Sequence, residues 1–229
     1  MFAITGGLSD ARLVVLAVLG TLWGARLTFN FARKGGYRPG GEDYRWVVLR
    51  RRMSRGQFAA FNLLFISIYQ NLLLLLIALP AWTVLQTPGR SFGAADLIVT
   101  VAFLACLAGE TVADQQQWDF QQHRRMLRAQ GAADPGFLSA GLFRLSRHPN
   151  YFFEIAQWWL VAGFGAIAAG TVWQLGSLGA LLLTLLFVGS IALTERISLE
   201  RHPAYAAYRH HVWPLVPWKP KRTPATAPV

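Results

Sequence analysis

The sequence predicts an all-α integral membrane protein, a polytopic helical bundle with about five transmembrane spans. Three observations lead to this prediction. The 229 residues are 54% hydrophobic with a mean hydropathy of +0.34, long apolar runs recur along the chain, and basic residues crowd alternate loops. A soluble domain of this size does not need several apolar runs that are each long enough to cross a bilayer.

Five apolar runs have the length of a transmembrane helix, which needs about 20 predominantly apolar residues. In chain order they cover residues 12–31, 58–85, 95–113, 151–169 and 172–194. The second run contains Pro80, where we expect it to tilt or kink. An additional half-span at residues 136–143 is compatible with the sequence. We expect one domain over residues 1–218 and a disordered tail over residues 219–229.

The basic residues predict how the spans are oriented. The segments that follow the five runs carry, in order, eight, one, five, no and six lysines and arginines. Because cytoplasmic loops carry the excess of positive charge, we expect the N-terminus outside and the C-terminus in the cytoplasm. The pattern predicts a multi-pass protein of a bacterial-type inner (cytoplasmic) membrane, in contact with membrane lipids. It leaves the oligomeric state open.

The composition also argues against some partners. The net charge of +11 accompanies apolar spans, so we interpret it as topology and expect no nucleic acid partner. Cys106 is the one cysteine, which excludes a disulfide within the chain, and no Cys/His spacing typical of a metal site occurs. We therefore expect no metal.

The most informative stretch is Arg-His-Pro-Asn-Tyr at residues 147–151, where a basic loop meets the fourth apolar run. Pro149 suits the first position of a helix, because its missing N–H would be unsatisfied there anyway. Asn150 and Glu154 then lie four residues apart on one helix face. A glutamate about one turn inside a membrane helix is costly, which indicates a partner and a function.

Polar side chains also mark two other spans. Arg26 and Asn30 share one face of the first run, and Asp114 lies where the third run ends. A purely structural polar network is the alternative interpretation for these residues, and a helix cap is the alternative for His148. We interpret the cations at residues 50–55 as topology and lipid-headgroup charges.

These groups together suit a cofactor that carries phosphate. A helix N-terminus offers N–H groups and the positive end of its dipole to a phosphate, and arginine contacts phosphate through two N–H groups. Asp114 would suit a ribose or an amide. No Gly-x-Gly-x-x-Gly follows a predicted strand, which excludes a soluble dinucleotide-binding fold. The cations expected at the phosphates come from two predicted cytoplasmic segments, the one between the third and fourth spans and the one after the fifth: Arg124, Arg125, Arg147 and Arg196.

Residues 141–154, Gly-Leu-Phe-Arg-Leu-Ser-Arg-His-Pro-Asn-Tyr-Phe-Phe-Glu, resemble the steroid 5-alpha-reductase superfamily, above all its bacterial branch of uncharacterised membrane proteins. Residues 201–218 are similar to the closing motif of that branch, and so are residues 22–28 together with residues 42–45. The resemblance covers about residues 12–218. Shorter Arg-His-Pro-x-Tyr forms also occur in isoprenylcysteine-type carboxyl methyltransferases and in sterol reductases.

The resemblance implies an all-helical membrane reductase. Such an enzyme uses NADPH to reduce a carbon–carbon double bond conjugated to a ketone, in a lipophilic small-molecule substrate of steroid or isoprenoid type. His148 and Tyr151 would lie beside the cofactor and are the candidate catalytic residues. The proton donor is left open, because the resemblance starts near the third of the family's usual seven spans. The cofactor-binding residues that it implies are Arg26, Asp114, Arg147, Asn150 and Glu154. Asn30, on the same helix face as Arg26, and Tyr205, in the basic and aromatic patch after the fifth run, are further candidates for cofactor binding.

Two other functions are compatible with the sequence. One is a membrane methyltransferase of the isoprenylcysteine type, which uses S-adenosylmethionine and shares the Arg-His-Pro-x-Tyr element. The other is a non-enzymatic, lipid-binding membrane protein. The basic charge favours the reductase mildly, since a dinucleotide carries phosphate charges that the methyl donor lacks.

Overall fold

Helices joined by loops, with no strand, make up the part of the protein that the computed structural model describes, which is residues 10–41, 44–87 and 91–221. The side chains of Tyr44 and Arg45, and residues 222–229 of the predicted tail, lie outside the described residues. This architecture confirms the all-α prediction. The α-helices are α1 (Ala11–Arg33), α2 (Tyr44–Arg52), α3 (Arg55–Phe61), α4 (Gln70–Gln86), α5 (Ala94–Ala129), α6 (Pro149–Ala169), α7 (Leu175–Arg201) and α8 (Tyr205–His211).

Five helices of the described chain are long and apolar enough to cross a membrane. They are α1, the continuous stretch Arg55–Gln86, α5, α6 and α7, which confirms the five predicted spans. The largest difference is at α5, which continues to Ala129 because the residues after 113 are mostly good helix formers such as Gln, Arg, Met and Leu. The segment at residues 136–143 forms no helical span, and only a short 3₁₀ helix, Gly141–Arg144, precedes α6.

The second span contains an irregularity that the sequence analysis did not predict. Helices α3 and α4 are joined by a π-helix, Asn62–Tyr69, so that the three elements form one 32-residue stretch. Helix α3 begins with a capping box, in which Ser54 and Gln57 satisfy each other's backbone N–H groups. Pro80 lies inside α4 as expected.

Two compact units make up the chain, and α5, α6 and α7 contribute residues to both. Unit 1 consists of residues 1–105 and 157–185. In unit 1, α4 and α7 come into close contact because glycine lacks a side chain: a Cβ at Gly179 would lie 2.6 Å from the carbonyl carbon of Leu76. The Tyr69 hydroxyl donates a hydrogen bond to the Leu182 carbonyl at 2.9 Å.

Unit 1 also contains a buried ion pair between the first turns of α1 and α5. The Arg12 Nε and Nη2 atoms lie 2.6 and 2.7 Å from the two carboxylate oxygens of Asp96. Asp96 accepts a further bond from the Gly93 N–H at 3.0 Å, and both charged side chains are 1% exposed. From the sequence, Arg12 was predicted only as the start of a span, and its pairing with Asp96 was not predicted.

The orientation of the spans can be tested with reporter fusions. We expect a reporter fused at Val229 to be active as a cytoplasmic protein and one inserted after Thr87 to be active outside, because basic segments alternate with nearly uncharged ones. Paired phosphatase and fluorescent-protein fusions measure both locations. The same readout from both positions would exclude the five-span topology.

Candidate functional site

Unit 2 consists of residues 106–156 and 186–229 and contains most of the predicted site residues. Within it, α5 packs against α6 where a Cβ at Gly109 would lie 2.5 Å from the ring of Phe153. One face of α5 therefore runs beside the start of α6. Asp114 and Glu154, one from each of these helices, are both buried.

A second contact, made by Gln116 of α5, holds the loop that leads into α6. The Gln116 side-chain oxygen accepts a hydrogen bond from the Leu142 N–H at 2.9 Å. Gly141 has a φ of +60° and lies so close to Gln116 that a Cβ would be 2.5 Å from its amide oxygen. Only glycine fits this conformation and this distance without strain. The loop before α6 is thereby held against the end of the third span.

Helix α6 begins at Pro149, as predicted. Its first hydrogen bond runs from the Phe152 N–H to the His148 carbonyl at 3.2 Å. By helix geometry, the N–H groups of the first turn point out of the helix end, where an anion is favoured. Asn150 lies in this turn and is half-buried.

A group of charged side chains in unit 2 surrounds Glu195, near the end of α7. Its carboxylate lies 2.6 Å from Arg147 Nε, 3.3 Å from His148 Nε2 and 3.0 Å from Arg209 Nε. Glu195 is 4% exposed, and Arg147 and His148 are buried, whereas the Arg209 side chain is 52% exposed. We call these four residues the Glu195 cluster. A buried carboxylate that contacts two guanidinium groups and an imidazole nitrogen is well compensated for its loss of water.

Arg147 is engaged inside the protein. In addition to its contact with Glu195, Arg147 donates hydrogen bonds through Nη1 to the carbonyl of Arg209 at 2.7 Å and to the carbonyl of Val212. Its backbone N–H donates to the Trp213 carbonyl at 2.9 Å. Arg147 therefore ties the C-terminal segment to the start of α6. Its predicted contact with a phosphate stays a prediction.

The preceding Ser146 strengthens the same connection. Its hydroxyl donates to the Leu215 carbonyl at 2.7 Å and accepts from the His148 N–H at 3.1 Å. The Trp218 N–H donates to the Leu145 carbonyl at 3.0 Å. Two of the stretches on which the resemblance rests, residues 141–154 and 201–218, are thus hydrogen-bonded to each other.

The two predicted catalytic residues are neighbours. The rings of His148 and Tyr151 stack with centroids 5.3 Å apart and planes 17° apart, and Tyr151 also packs on Phe187 at 4.7 Å. The Glu195 contact holds one ring nitrogen of His148. Glu195 was not among the predicted site residues, although a glutamate at the end of an apolar run was a signal that could have identified it.

Two tyrosines of α8 remain protonated at neutral pH. Burial, and then the nearby charge of Glu195, raise the pKa of Tyr205 to about 12. Burial likewise raises the pKa of Tyr208, whose hydroxyl donates to the Phe143 carbonyl at 2.5 Å. Tyr205 therefore supplies a neutral phenol beside the Glu195 cluster.

The other predicted phosphate cations differ in their surroundings. Arg124 makes a bidentate pair with Asp134 at 2.5 and 2.7 Å, and Arg128 contacts the same carboxylate. Hydrogen bonds from these two guanidinium groups hold the pKa of Asp134 well below its usual range. Arg125 and Arg196 are exposed, and within the described chain no carboxylate pairs with either of them.

Arg26 and Asn30 belong to unit 1. They lie one turn apart on α1, where Asn30 is buried and Arg26 is half-buried. One turn before Arg26, the ring of Trp23 packs edge-on against Trp158 at 5.0 Å. The predicted site residues are therefore distributed between the two units.

The fold and the site define a multi-pass helical membrane protein with buried charged groups where α6 begins and α7 ends. The sequence profile of the family described as a protein of unknown function (DUF1295) matches residues 1–212, and the chain belongs to this family. The uncharacterized protein C594.04c of Schizosaccharomyces pombe is 39% identical over 222 residues. That match covers 92% of this chain and 64% of the relative, so the chain spans less than two thirds of its length. No solved structure gives a significant match.

Proposed function

We propose that this protein is an integral membrane oxidoreductase that uses NADPH to reduce a carbon–carbon double bond conjugated to a ketone in a lipophilic substrate. The observation that carries the proposal is the burial of charged groups within spanning helices. Glu110, Asp114, Glu154 and Glu195 are all buried in unit 2. Such groups are expensive in a membrane helix and usually mark a functional site.

The donor set suits a nucleotide. Asn150 lies in the first turn of α6, where amide and N–H groups favour a polar or anionic ligand. Glu154 and Asp114 would accept hydrogen bonds from a ribose or a carboxamide. Arg125 and Arg196 would be the phosphate contacts, because Arg147 and Arg124 already hold Glu195 and Asp134.

When bound, NADPH would supply a hydride to the β carbon of the enone. The chain's own residues would orient the two partners and exclude water. A neutral hydroxyl is needed where the enolate oxygen develops, and Tyr151, whose ring stacks on His148, would be the candidate for this role. Glu195 would fix the ring of His148 behind it. We also propose that the protein resides in a bacterial-type inner membrane and belongs to the steroid 5-alpha-reductase superfamily.

Ligand-dependent thermal stabilisation distinguishes this proposal from its rivals. A ligand that binds only the folded protein raises the melting temperature, so we expect NADPH to do so in detergent solution and S-adenosylmethionine not to. A shift with S-adenosylmethionine alone would favour a methyltransferase. No shift with either would favour a non-enzymatic, lipid-binding protein. Loss of NADPH absorbance with a conjugated enone then tests catalysis.

Single substitutions test the nucleotide contacts. We expect Asn150→Ala and Glu154→Ala each to weaken NADPH binding roughly tenfold to a hundredfold, because a hydrogen bond to a charged or polar ligand contributes about 1.5–3 kcal/mol. Titration calorimetry measures the affinity. Arg51→Ala is the matched control: Arg51 is exposed on α2, in the run that we assign to lipid headgroups, and its loss should leave affinity nearly unchanged. Unchanged affinity with a lower melting temperature would instead make Asn150 and Glu154 structural.

A further inference from the structure

Unit 1 contains a cleft of about 560 Å³ whose lining includes none of the residues of the proposed nucleotide site. It lies between the glycine-rich loop after α1 and helices α2 and α3. We call it the Trp46 cleft. The residues of its lining that matter here are Phe31, Arg38, Trp46, Arg50, Phe58 and Asn62.

One wall of the Trp46 cleft is aromatic. The Trp46 ring contacts Phe58 with centroids 6.4 Å apart and Phe61 with centroids 5.8 Å apart. The Arg50 guanidinium lies over the Phe58 ring at 5.3 Å, a cation–π contact. The cleft thus places an aromatic wall beside a positive charge.

The loop that forms the other wall is held in one conformation. Gly35 and Gly40 both have a φ of +79°, which favours glycine. The Gly36 N–H donates to the Phe31 carbonyl and the Gly41 N–H to the Arg38 carbonyl, each at 2.9 Å. This arrangement holds Arg38 at the rim, where no carboxylate of the described chain pairs with its guanidinium.

We propose that the Trp46 cleft binds the phosphate headgroup of an anionic phospholipid. Two guanidinium groups, from Arg38 and Arg50, complement a phosphate in charge and in hydrogen-bonding geometry. The cleft adjoins the start of the second span, and the basic loop around it is predicted to face the anionic cytoplasmic leaflet. Leu63 and Leu64 follow on the same span and are exposed, so they offer an apolar surface for acyl chains. A soluble phosphate would make no use of that surface.

Lipid selectivity of the purified full-length protein tests this proposal. Native mass spectrometry from mixed micelles compares the retention of phosphatidylglycerol with that of phosphatidylcholine. We expect the wild type to prefer phosphatidylglycerol. Each arginine beside an anionic lipid contributes about 1 kcal/mol, or roughly fivefold, so Arg38→Gln/Arg50→Gln should reduce the preference by about thirtyfold. The single variant Arg38→Gln should reduce it about fivefold, and its side chain has no carboxylate partner in the described chain whose loss could unfold the protein.

The control is Arg51→Gln/Arg55→Gln, which removes two exposed charges from the same segment outside the cleft. If both double variants lose the preference equally, the effect is generic surface charge and the proposal is wrong. Equal retention of the two lipids by the wild type would also overturn it, and so would displacement by soluble glycerol phosphate. The proposal does not rest on the nucleotide site: NADPH stabilisation should be unchanged in Arg38→Gln/Arg50→Gln.

Discussion

Glu195→Ala is expected to destabilise the protein by about 3–5 kcal/mol, because it leaves the buried Arg147 guanidinium without its counter-charge and removes the contact with His148. The C-terminal segment should loosen with it, since Arg147 also holds the carbonyls of Arg209 and Val212. Unfolding by titration with a denaturing detergent, followed by circular dichroism, measures the change in free energy. Glu195→Gln should destabilise less, because it keeps the shape of the side chain and one acceptor oxygen.

The matched control is Arg209→Ala. Arg209 contacts the same carboxylate at 3.0 Å but has a side chain that is 52% exposed, so water screens the pair and its loss should cost at most about 1 kcal/mol. If Arg209→Ala and Glu195→Ala destabilise equally, the buried contacts with Arg147 and His148 have no special role.

Substitutions of Arg147 test whether this residue stabilises the Glu195 cluster or contacts the phosphate of the cofactor, as the resemblance implies. We expect Arg147→Ala to lower the melting temperature and the affinity for NADPH together, with partial rescue by Arg147→Lys, because an ammonium cannot replace the planar guanidinium. A large loss of NADPH affinity at an unchanged melting temperature would instead identify Arg147 as a direct phosphate ligand.

The number and order of the spans were predictable because each depends on a local property, a run of about 20 apolar residues. The start of α6 was predictable for the same reason, since Pro149 is a local signal. The end of α5 was not predicted from hydropathy, because its last turns are polar yet helical. The π-helix at Asn62–Tyr69 was also missed, since π-helices are rare and its apolar sequence does not differ from that of an ordinary α-helical span.

The sequence predicted several polar residues of the candidate site but not which of them contact each other. The sequence indicated that Glu154 and Asp114 are buried polar groups, and the structure places both in the interior of unit 2. The sequence did not show which charges pair. Glu195 lies 48 positions after Arg147, and such a partner follows from how α7 packs on the loop before α6. For the same reason, the sequence did not identify Asp96, which lies 84 positions after Arg12, as the partner of that arginine.

Asp96→Ala is expected to destabilise the protein by about 3–5 kcal/mol, as is Arg12→Ala, because each leaves one charge buried without its partner. The double variant Arg12→Met/Asp96→Leu should recover much of that loss, since apolar side chains of similar volume often replace a buried ion pair without cost. The same detergent titration measures all three variants.

Asp134→Ala is the control for this pair, because Asp134 makes an equally well aligned bidentate contact with Arg124 at the protein surface. Hydrogen bonds lower the pKa of Asp134, so its contribution to stability is present above the pKa of the unfolded carboxyl and is lost as the pH falls below it. Because water screens this exposed pair, we expect its removal to change stability little at neutral pH. A large loss of stability in Asp134→Ala, or a small loss in Asp96→Ala, would contradict this expectation. It would mean that alignment and not burial determines the strength of the Arg124–Asp134 and Arg12–Asp96 pairs.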